Sequence, residues 1–133
     1  MAALPIELSW KAPIQGHPDW NYPDDVAVWV SVTKLDAAWK LDDGFYIGSG
    51  GSGAAIDDRY ARFGVWIAST SESVDLPMVA FEKGVVSFSD GRHRFAWLRD
   101  HGVQAMPVQV SSEQRQEFEN LFGVSDRVST ITS

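Results

Sequence analysis

The sequence contains no cysteine, and this absence removes several kinds of chemistry. Disulfide bridges, zinc–thiolate sites and thiol nucleophiles are excluded, because each of them needs a cysteine sulfur. Basic residues are also scarce: 11 lysines and arginines stand against 18 aspartates and glutamates, which gives a net charge of −7. An acidic surface repels the phosphate backbone of nucleic acids. We therefore expect DNA not to bind over a broad surface of this protein.

Long apolar runs are missing as well, since about 18 consecutive apolar residues, the minimum for a membrane-spanning helix, occur nowhere in the sequence. The N-terminal residues lack the basic and apolar regions of a secretory signal. These features predict a cytoplasmic protein that does not insert into membranes.

Hydrophobic residues make up 44% of the chain and include six tryptophans and seven phenylalanines, which excludes a disordered acidic protein. The 133 residues suffice for a single domain over 1–133, with an extended arm at 1–25 and a tail at 124–133 that we expect to fray. The hydrophobic periodicity predicts strands at 6–10, 26–32, 45–47, 76–81, 85–88 and 105–110. It predicts helices over 34–40 after a Thr33 cap, after Asp57 or Asp58, over 90–101, and from Ser111 to Gly123 with a Ser111–Gln114 capping box.

The segment 88–103 joins an apolar strand to a charged helix through a tight turn at Gly91. Arg92, His93 and Arg94 then occupy the first helical turn, where the positive end of the helix dipole usually favours acidic residues. A phosphate placed there would meet backbone N–H groups and two guanidinium groups, and the missing Cβ of Gly91 would let it approach closely. This pattern predicts a nucleotide or phosphate site. Its residues are Ser89, Asp90, Gly91, Arg92, His93 and Arg94.

The competing interpretation of this turn is structural. Arg92 or Arg94 then pairs with a nearby carboxylate, Asp90 or Asp100, at a solvated helix start. His93 is the candidate catalytic residue, as a general acid or base near neutral pH, although a lone histidine is more often structural.

The hairpin, the Asp-Gly-Arg-His-Arg turn, the helix and the Met-Pro-Val-Gln-Val strand together resemble the ParB and sulfiredoxin superfamily over 76–110. Sulfiredoxins carry Gly-Cys-His-Arg at this turn and bind the phosphates of ATP there. Gly91, His93 and Arg94 match that motif, whereas Arg92 replaces the catalytic cysteine, so sulfiredoxin activity is excluded. ParB proteins carry Gly-Glu-Arg-Arg, bind cytidine triphosphate, and continue into a helix-turn-helix region. The residues after Val110 leave no room for that region, so we expect no chromosome-partition function.

Among small proteins of this superfamily, the chain resembles the plasmid fertility-inhibition factors, through the basic turn, Trp97-Leu98, Met106-Pro107-Val108 and the short capped helix that follows. The resemblance implies an α+β domain of ParB/sulfiredoxin type that blocks conjugative DNA transfer, with weak ATPase or DNase activity. In that enzyme, the basic turn holds ATP or another nucleotide, Mg²⁺ neutralises its charge and a carboxylate orients water. The alternative is a non-catalytic module whose acidic, tryptophan-rich surface binds a conjugation or secretion-system protein.

Three further patterns carry weaker signals. Gly48 to Gly53 formally fits a dinucleotide-binding loop, but without repeated parallel βαβ units it indicates a mobile polar turn, a flexible lid, or a second phosphate cradle facing the basic turn with help from Arg59. No set of histidines and aspartates has convincing metal-ligand spacing, so we predict no metal site and interpret the aspartates as caps or solvated loops. The histidines and aspartates considered for a metal site are His17, His93, His101, Asp24, Asp25, Asp57 and Asp58.

The tryptophans are expected mainly in the core, with Trp20, Trp29 or Trp66 as candidates for stacking a base or contacting a partner.

Overall fold

A computed structural model describes residues 4–14, 24–53, 58–70 and 72–133. Within these ranges, strands and helices alternate along much of the chain. The strands are β1 (Ile6–Glu7), β2 (Val26–Ser31), β3 (Met78–Glu82), β4 (Val85–Asp90), β5 (Ala105–Val110) and β6 (Thr130–Ile131). The helices are α1 (Val32–Trp39), α2 (Arg59–Ser69), α3 (Arg92–Asp100) and α4 (Arg115–Phe122), with short 3₁₀ turns at Ser49–Gly51 and Ser112–Gln114.

Four of these strands form the main sheet in the order β2-β5-β3-β4. The pairs β2–β5 and β3–β4 are antiparallel, while β3 and β5 run parallel where Met78 lies opposite Gln109. A separate two-stranded sheet pairs β1 with β6. The described residues share one hydrophobic core, so the fold is an α+β domain as the sequence predicts.

Strand β2 shows how the sheet divides the molecule into two sides. Its valines Val28 and Val30 are buried in the core, whereas the alternate residues Ala27 and Trp29 lie on the opposite face. Helix α1 follows without a loop, and its cap is Ser31, whose Oγ accepts a hydrogen bond from the Lys34 N–H at 3.2 Å. The prediction of a Thr33 cap was therefore wrong by two residues, because the strand runs directly into the helix.

Helix α3 lies at the centre of the core. Phe95, Ala96 and Leu98 are fully buried, and the Phe95 ring packs against Trp39 with the ring centroids 5.6 Å apart. The helix starts at Arg92 rather than at Asp90, because Asp90 is still paired in β4 opposite Met78.

The hairpin and the fifth strand confirm their sequence predictions. Lys83 and Gly84 connect β3 to β4 with φ of 53° and 81°, the left-handed pair that a two-residue hairpin turn requires. Strand β5 spans the predicted residues 105–110.

Three further predictions of local structure were wrong, and a tertiary contact contributes to each. Residues 45–47 form no strand: the Tyr46 N–H donates to the Asp42 carbonyl within a turn, and the Ile47 carbonyl accepts from Arg99. The Gln114 side chain does not complete a capping box, because its amide bonds the backbone N–H and C=O of Phe81.

The third correction concerns the C-terminal tail. Residues 124–133 were expected to fray, but Thr130 and Ile131 pair with β1 and the Ile131 side chain is fully buried.

Asp58 lies at the start of α2 with φ of 55°, and its side chain makes no capping hydrogen bond. His17, Trp20 and Asp57, as well as part of the predicted arm at 1–25, lie outside the described residues.

Candidate functional site

The basic turn predicted as a phosphate site lies at the junction of β4 and α3. Gly91 has φ of 82°, and a Cβ added to it would lie 2.9 Å from the Pro77 Cα and 2.6 Å from Nη2 of Arg94. The space beside Gly91 is therefore filled by the chain itself. A glycine is required here by the fold, whether or not a ligand binds.

Arg94 has the structural role that the competing interpretation assigns to a turn arginine. Its Nε donates to the Asp75 carbonyl at 3.0 Å and its Nη2 to the Leu76 carbonyl at 3.4 Å. Nη2 also lies 3.6 Å from the Asp90 carboxylate, one helical turn earlier. The Arg94 guanidinium thus fastens the start of α3 to the segment that leads into β3.

Arg92 and His93 differ in their access to solvent. Nη1 of Arg92 donates to the Phe45 carbonyl at 3.0 Å, and its guanidinium lies 5.3 Å from the centroid of the Phe45 ring, which is 58% exposed. His93 is only 8% exposed and faces the interior. Ser89 is exposed and its Oγ is 3.5 Å from the Met78 carbonyl.

Within the described residues, no side chain caps the first-turn N–H groups of α3, because glycine occupies the cap position. At this helix start, Arg94 is hydrogen-bonded to backbone carbonyls and His93 is buried, whereas Arg92 contacts the exposed Phe45. Binding of a phosphate here stays a prediction.

The opposite end of α3 carries a polar network centred on Arg99. Its Nη1 donates to the Asp36 carboxylate at 2.9 Å and to the Ile47 carbonyl at 2.6 Å, and its Nε donates to the Asp100 carboxylate at 2.9 Å. All three charged side chains are mostly buried, being 12% exposed for Arg99, 17% for Asp36 and 14% for Asp100. Although burial alone would lower the pKa of Arg99, its hydrogen bonds to the two carboxylates outweigh it and raise that pKa.

Asp100 extends this network to two further segments. Its Oδ2 accepts hydrogen bonds from the Tyr60 hydroxyl at 2.6 Å and from the Gly50 N–H at 3.0 Å. Burial by itself would raise the pKa of Asp100, but the hydrogen bonds from Arg99 and Tyr60 outweigh it and lower that pKa. Burial and the bond to Asp100 raise the pKa of Tyr60 to about 12.

Sequence reasoning missed this network because its members are far apart in the chain. Arg99 is separated from Asp36 by 63 residues and from Tyr46, whose hydroxyl is 3.4 Å from Nη1, by 53 residues. The adjacent Arg99-Asp100 pair at a helix end was the one local signal. Asp100 had been considered as a partner for the turn arginines, whereas it pairs with Arg99.

The glycine-rich loop belongs to the Arg99 end of α3. The chain from Phe45 to Gly50 runs along this helix, contacting Arg92 first and Asp100 last. These two helix residues are separated by about 12 Å at 1.5 Å per residue. The loop therefore does not face the basic turn, and the idea of a second phosphate cradle there was wrong. The structure agrees that this is no dinucleotide-binding loop, because the described residues 45–47 directly before Gly48 form no strand and the main sheet is mostly antiparallel.

The remaining candidate residues take part in packing or local contacts. The His101 ring stacks on Trp97 at 3.6 Å, and Asp25 accepts a hydrogen bond from the Gln109 amide at 2.9 Å. Trp39 and Trp97 are buried, while Trp10, Trp29 and Trp66 are half-buried. In the part of the chain that is described, no three His, Asp or Glu residues are grouped so that they could hold a metal ion. No helix there has the length and apolar character needed to cross a bilayer.

The family model of the plasmid fertility inhibition factors matches residues 61–123, a segment that extends from α2 to the end of α4 and contains the basic turn. This segment resembles a plasmid fertility inhibition factor. A solved structure agrees: the crystal structure of the Oncogenic Suppression Activity Protein, described as a plasmid fertility inhibition factor, in its gold(I) cyanide derivative. It matches with a TM-score of 0.57 and 22% identity, covering 93% of this chain and 81% of that chain.

At that identity, the structural likeness establishes a shared fold. A search of curated proteins gives no match. The family match and the shared fold together support a relation to the plasmid fertility inhibition factors.

Proposed function

We propose that this protein is a plasmid fertility inhibition factor that lowers conjugative DNA transfer from the cell that contains it. The family match over residues 61–123 carries this proposal, because that segment holds α3 and the two central strands of the sheet. The shared fold with a fertility inhibition factor over most of the chain supports it. We also propose that the domain is of the ParB/sulfiredoxin type.

The test is a mating assay between donor cells with and without the protein. Expression of the wild type should reduce the number of transconjugants per donor cell. Phe95→Asp is the matched control, since a carboxylate at this fully buried position should prevent folding. If wild type and Phe95→Asp leave the transfer frequency equal, the proposed function is wrong.

The mechanism that the geometry supports best is contact with a protein of the conjugation or secretion machinery. Gly91 and Arg94 have structural roles in the fold and His93 is buried, and none of these observations requires a nucleotide. The half-buried Trp10 and Trp29 keep part of their surface exposed and offer apolar contact area.

A second candidate mechanism is binding of ATP or another nucleotide, with Mg²⁺, at the start of α3. It is favoured by the first-turn N–H groups that no described side chain caps, together with the Arg92 guanidinium beside the exposed Phe45 ring. Weak ATPase or nuclease activity would belong to this mechanism.

Calorimetric titration of ATP and CTP, with and without Mg²⁺, separates the two mechanisms. The informative variant is Arg92→Ala, because Arg94→Ala would also release the contacts that hold α3. Arg115→Ala removes an exposed arginine of α4 and is the matched control. Binding by wild type and Arg115→Ala, but not by Arg92→Ala, would establish the nucleotide site. Under the protein-contact mechanism, Arg92→Ala still inhibits conjugation.

A further inference from the structure

Residues 8–14 cross the face of the main sheet that lies opposite the helical core. Trp29 of β2 and Pro107 of β5 are cross-strand neighbours on this face. The buried Gln109 side chain fixes the segment to it, since its Oε1 accepts from the Ile14 N–H at 2.7 Å. Residues 8–13 therefore pass over the face that carries Trp29 and Pro107.

A groove with a volume of about 500 Å³ remains between this segment and the sheet. Trp10 and Trp29, both half-buried, line it together with Pro13, Pro107 and the buried Leu76. Aromatic side chains line many of the grooves that bind extended peptides.

Hydrogen bonds hold the Trp10 side chain and the backbone at Trp29. Nε1 of Trp10 donates to Oγ of Ser129 at 3.0 Å, and that hydroxyl donates in turn to the Ala105 carbonyl at 2.6 Å. The Trp29 carbonyl accepts from the Val124 N–H at 3.3 Å. Because a hydrogen bond already fixes the Trp10 side chain, little of its conformational entropy is lost when a partner binds, whereas the Trp29 contact holds the backbone of β2.

The charge of the groove is opposite to that of the whole protein. Its charged lining residues are Lys11 and Arg127, both exposed, in a chain with a net charge of −7. The Lys11 ammonium lies 3.4 Å from the Asp75 carboxylate, but both side chains are about half exposed, with 50% and 43% of their surface accessible. Such a pair is weak and leaves Lys11 able to contact a partner. The tryptophan-rich surface expected to be acidic is therefore locally basic.

We propose that this groove binds an extended acidic segment of another protein, with an apolar side chain between Trp10 and Trp29 and carboxylates near Lys11 and Arg127. This inference rests on the proposed function for its biological role and names the surface and the chemistry of the partner. A peptide fits better than single-stranded DNA, because the acidic remainder of the protein repels a phosphate chain that extends beyond the groove.

Selection of phage-displayed random peptides on the immobilised full-length protein tests this directly. The expected consensus is an aliphatic or aromatic residue flanked by Asp or Glu. A synthetic peptide of that consensus should change the tryptophan fluorescence and bind Lys11→Glu/Arg127→Glu at least about 10-fold more weakly than wild type. Lys34→Glu/Lys40→Glu, which makes the same change in net charge on exposed residues of and beside α1, should bind as the wild type does.

Enrichment of basic peptides, absence of any consensus, or equal loss of affinity in both double variants would overturn the proposal. Displacement of the selected peptide by oligo-dT would also overturn it, in favour of a nucleic acid. Trp29→Ala is a second variant, which removes a lining side chain of the groove and leaves both charges in place. It should also bind the peptide more weakly, and far-UV circular dichroism checks that it folds.

The mating assay keeps this inference separate from the proposed function. If wild type inhibits transfer and Lys11→Glu/Arg127→Glu does not, the groove is the contacting surface. If both inhibit equally, the groove proposal fails and the proposed function stands. If wild type has no effect on transfer, the proposed function fails, and peptide selection alone decides whether the groove binds acidic segments.

Discussion

At the scale of single residues, the arginine of α3 that joins several chain segments through mostly buried contacts is Arg99, which the sequence analysis did not single out. Arg92 and Arg94 attract attention because they are neighbours in the sequence. Arg99 connects α1 through Asp36, the segment before the glycine-rich loop through the Ile47 carbonyl, and the end of α3 through Asp100. A local cluster of charge is visible in a sequence, whereas partners that folding brings together are not.

Replacing Arg99 by alanine should therefore destabilise the protein strongly. Asp36 and Asp100 would keep their charge in a mostly buried place without the guanidinium that compensates them. Removing one partner of a buried ion pair lowers the unfolding free energy by about 3 kcal/mol or more. Urea denaturation of wild type and Arg99→Ala, followed by tryptophan fluorescence, measures this difference.

The matched control for that measurement is Arg115→Ala, which removes an arginine from an exposed pair with Glu119, 3.1 Å away. Exposed pairs of this spacing contribute only about 0.3–0.5 kcal/mol. A loss for Arg99→Ala no larger than that for Arg115→Ala would show that the network does not hold the fold together.

Tyr60 gives the same network a dependence on alkaline pH. A free tyrosine has a pKa of 10.0, and in the folded protein burial and the bond to Asp100 raise the pKa of Tyr60 to about 12. Because the folded-state value is the higher one, the stabilisation is fully present below pH 10 and is lost as the pH rises through about 12.

We accordingly expect the unfolding free energy of wild type to exceed that of Tyr60→Phe by a constant amount below pH 10, and the difference to shrink above it. Denaturation of both proteins at a series of pH values checks this, and the phenyl ring of the variant preserves the packing. A difference that stays constant up to pH 12 would contradict the expected titration of Tyr60.

At the scale of elements, local signals predicted well where the contacts are local. The β3–β4 hairpin needs a left-handed turn that Lys83-Gly84 provides, and β5 is an apolar run bounded by polar residues, so both follow from the sequence. Residues 45–47 have strand-like composition, yet their carbonyl groups bond the side chains of α3. No local pattern distinguishes that use of the backbone from a strand.

The C-terminal tail shows the same limit, because its polar composition predicts fraying and its position in the fold determines otherwise. Ile131→Ala should lower the unfolding free energy by about 2–5 kcal/mol, the usual cost of removing a buried isoleucine side chain. Ile131 is fully buried beside β1, whereas the nearby Val128 is 43% exposed.

Val128→Ala is therefore the control and should change stability by less than about 0.5 kcal/mol. Both values come from urea denaturation. Equal effects of the two substitutions would mean that the pairing of β6 with β1 contributes little in solution.

At the scale of the whole molecule, the segment that matches the family model and the unit that folds differ. The match begins at Ala61, inside α2, and omits β2 and α1. Those two elements supply Val28, Val30, Leu35 and Trp39, all buried, to the shared core. The candidate sites are also split by the boundary of the match: the basic turn lies inside the matched segment, whereas Trp10, Trp29 and Asp36 lie outside it.

The sequence could therefore predict the basic turn as a feature, because its residues are contiguous, and it offered an ion pair as one role for Arg94. It could not predict that Gly91 packs against Pro77 or that Arg94 bonds the carbonyls that lead into β3. It could not predict the tryptophan groove, because that surface forms only when residues 8–13 cross the face of β2 and β5. Assignment of surfaces required the relative placement of elements that are distant in the chain.

These observations predict that residues 61–123 do not fold alone and that the full chain unfolds in a single transition. Without β2, strand β5 would lose one of its two neighbours, and buried side chains of α3 would face water. Far-UV circular dichroism of the 61–123 fragment should show an unfolded chain. For the full protein, circular dichroism and tryptophan fluorescence should give coincident urea transitions. A folded fragment, or two separate transitions in the full chain, would mean that the N-terminal elements form an independent unit packed on a core that does not need them.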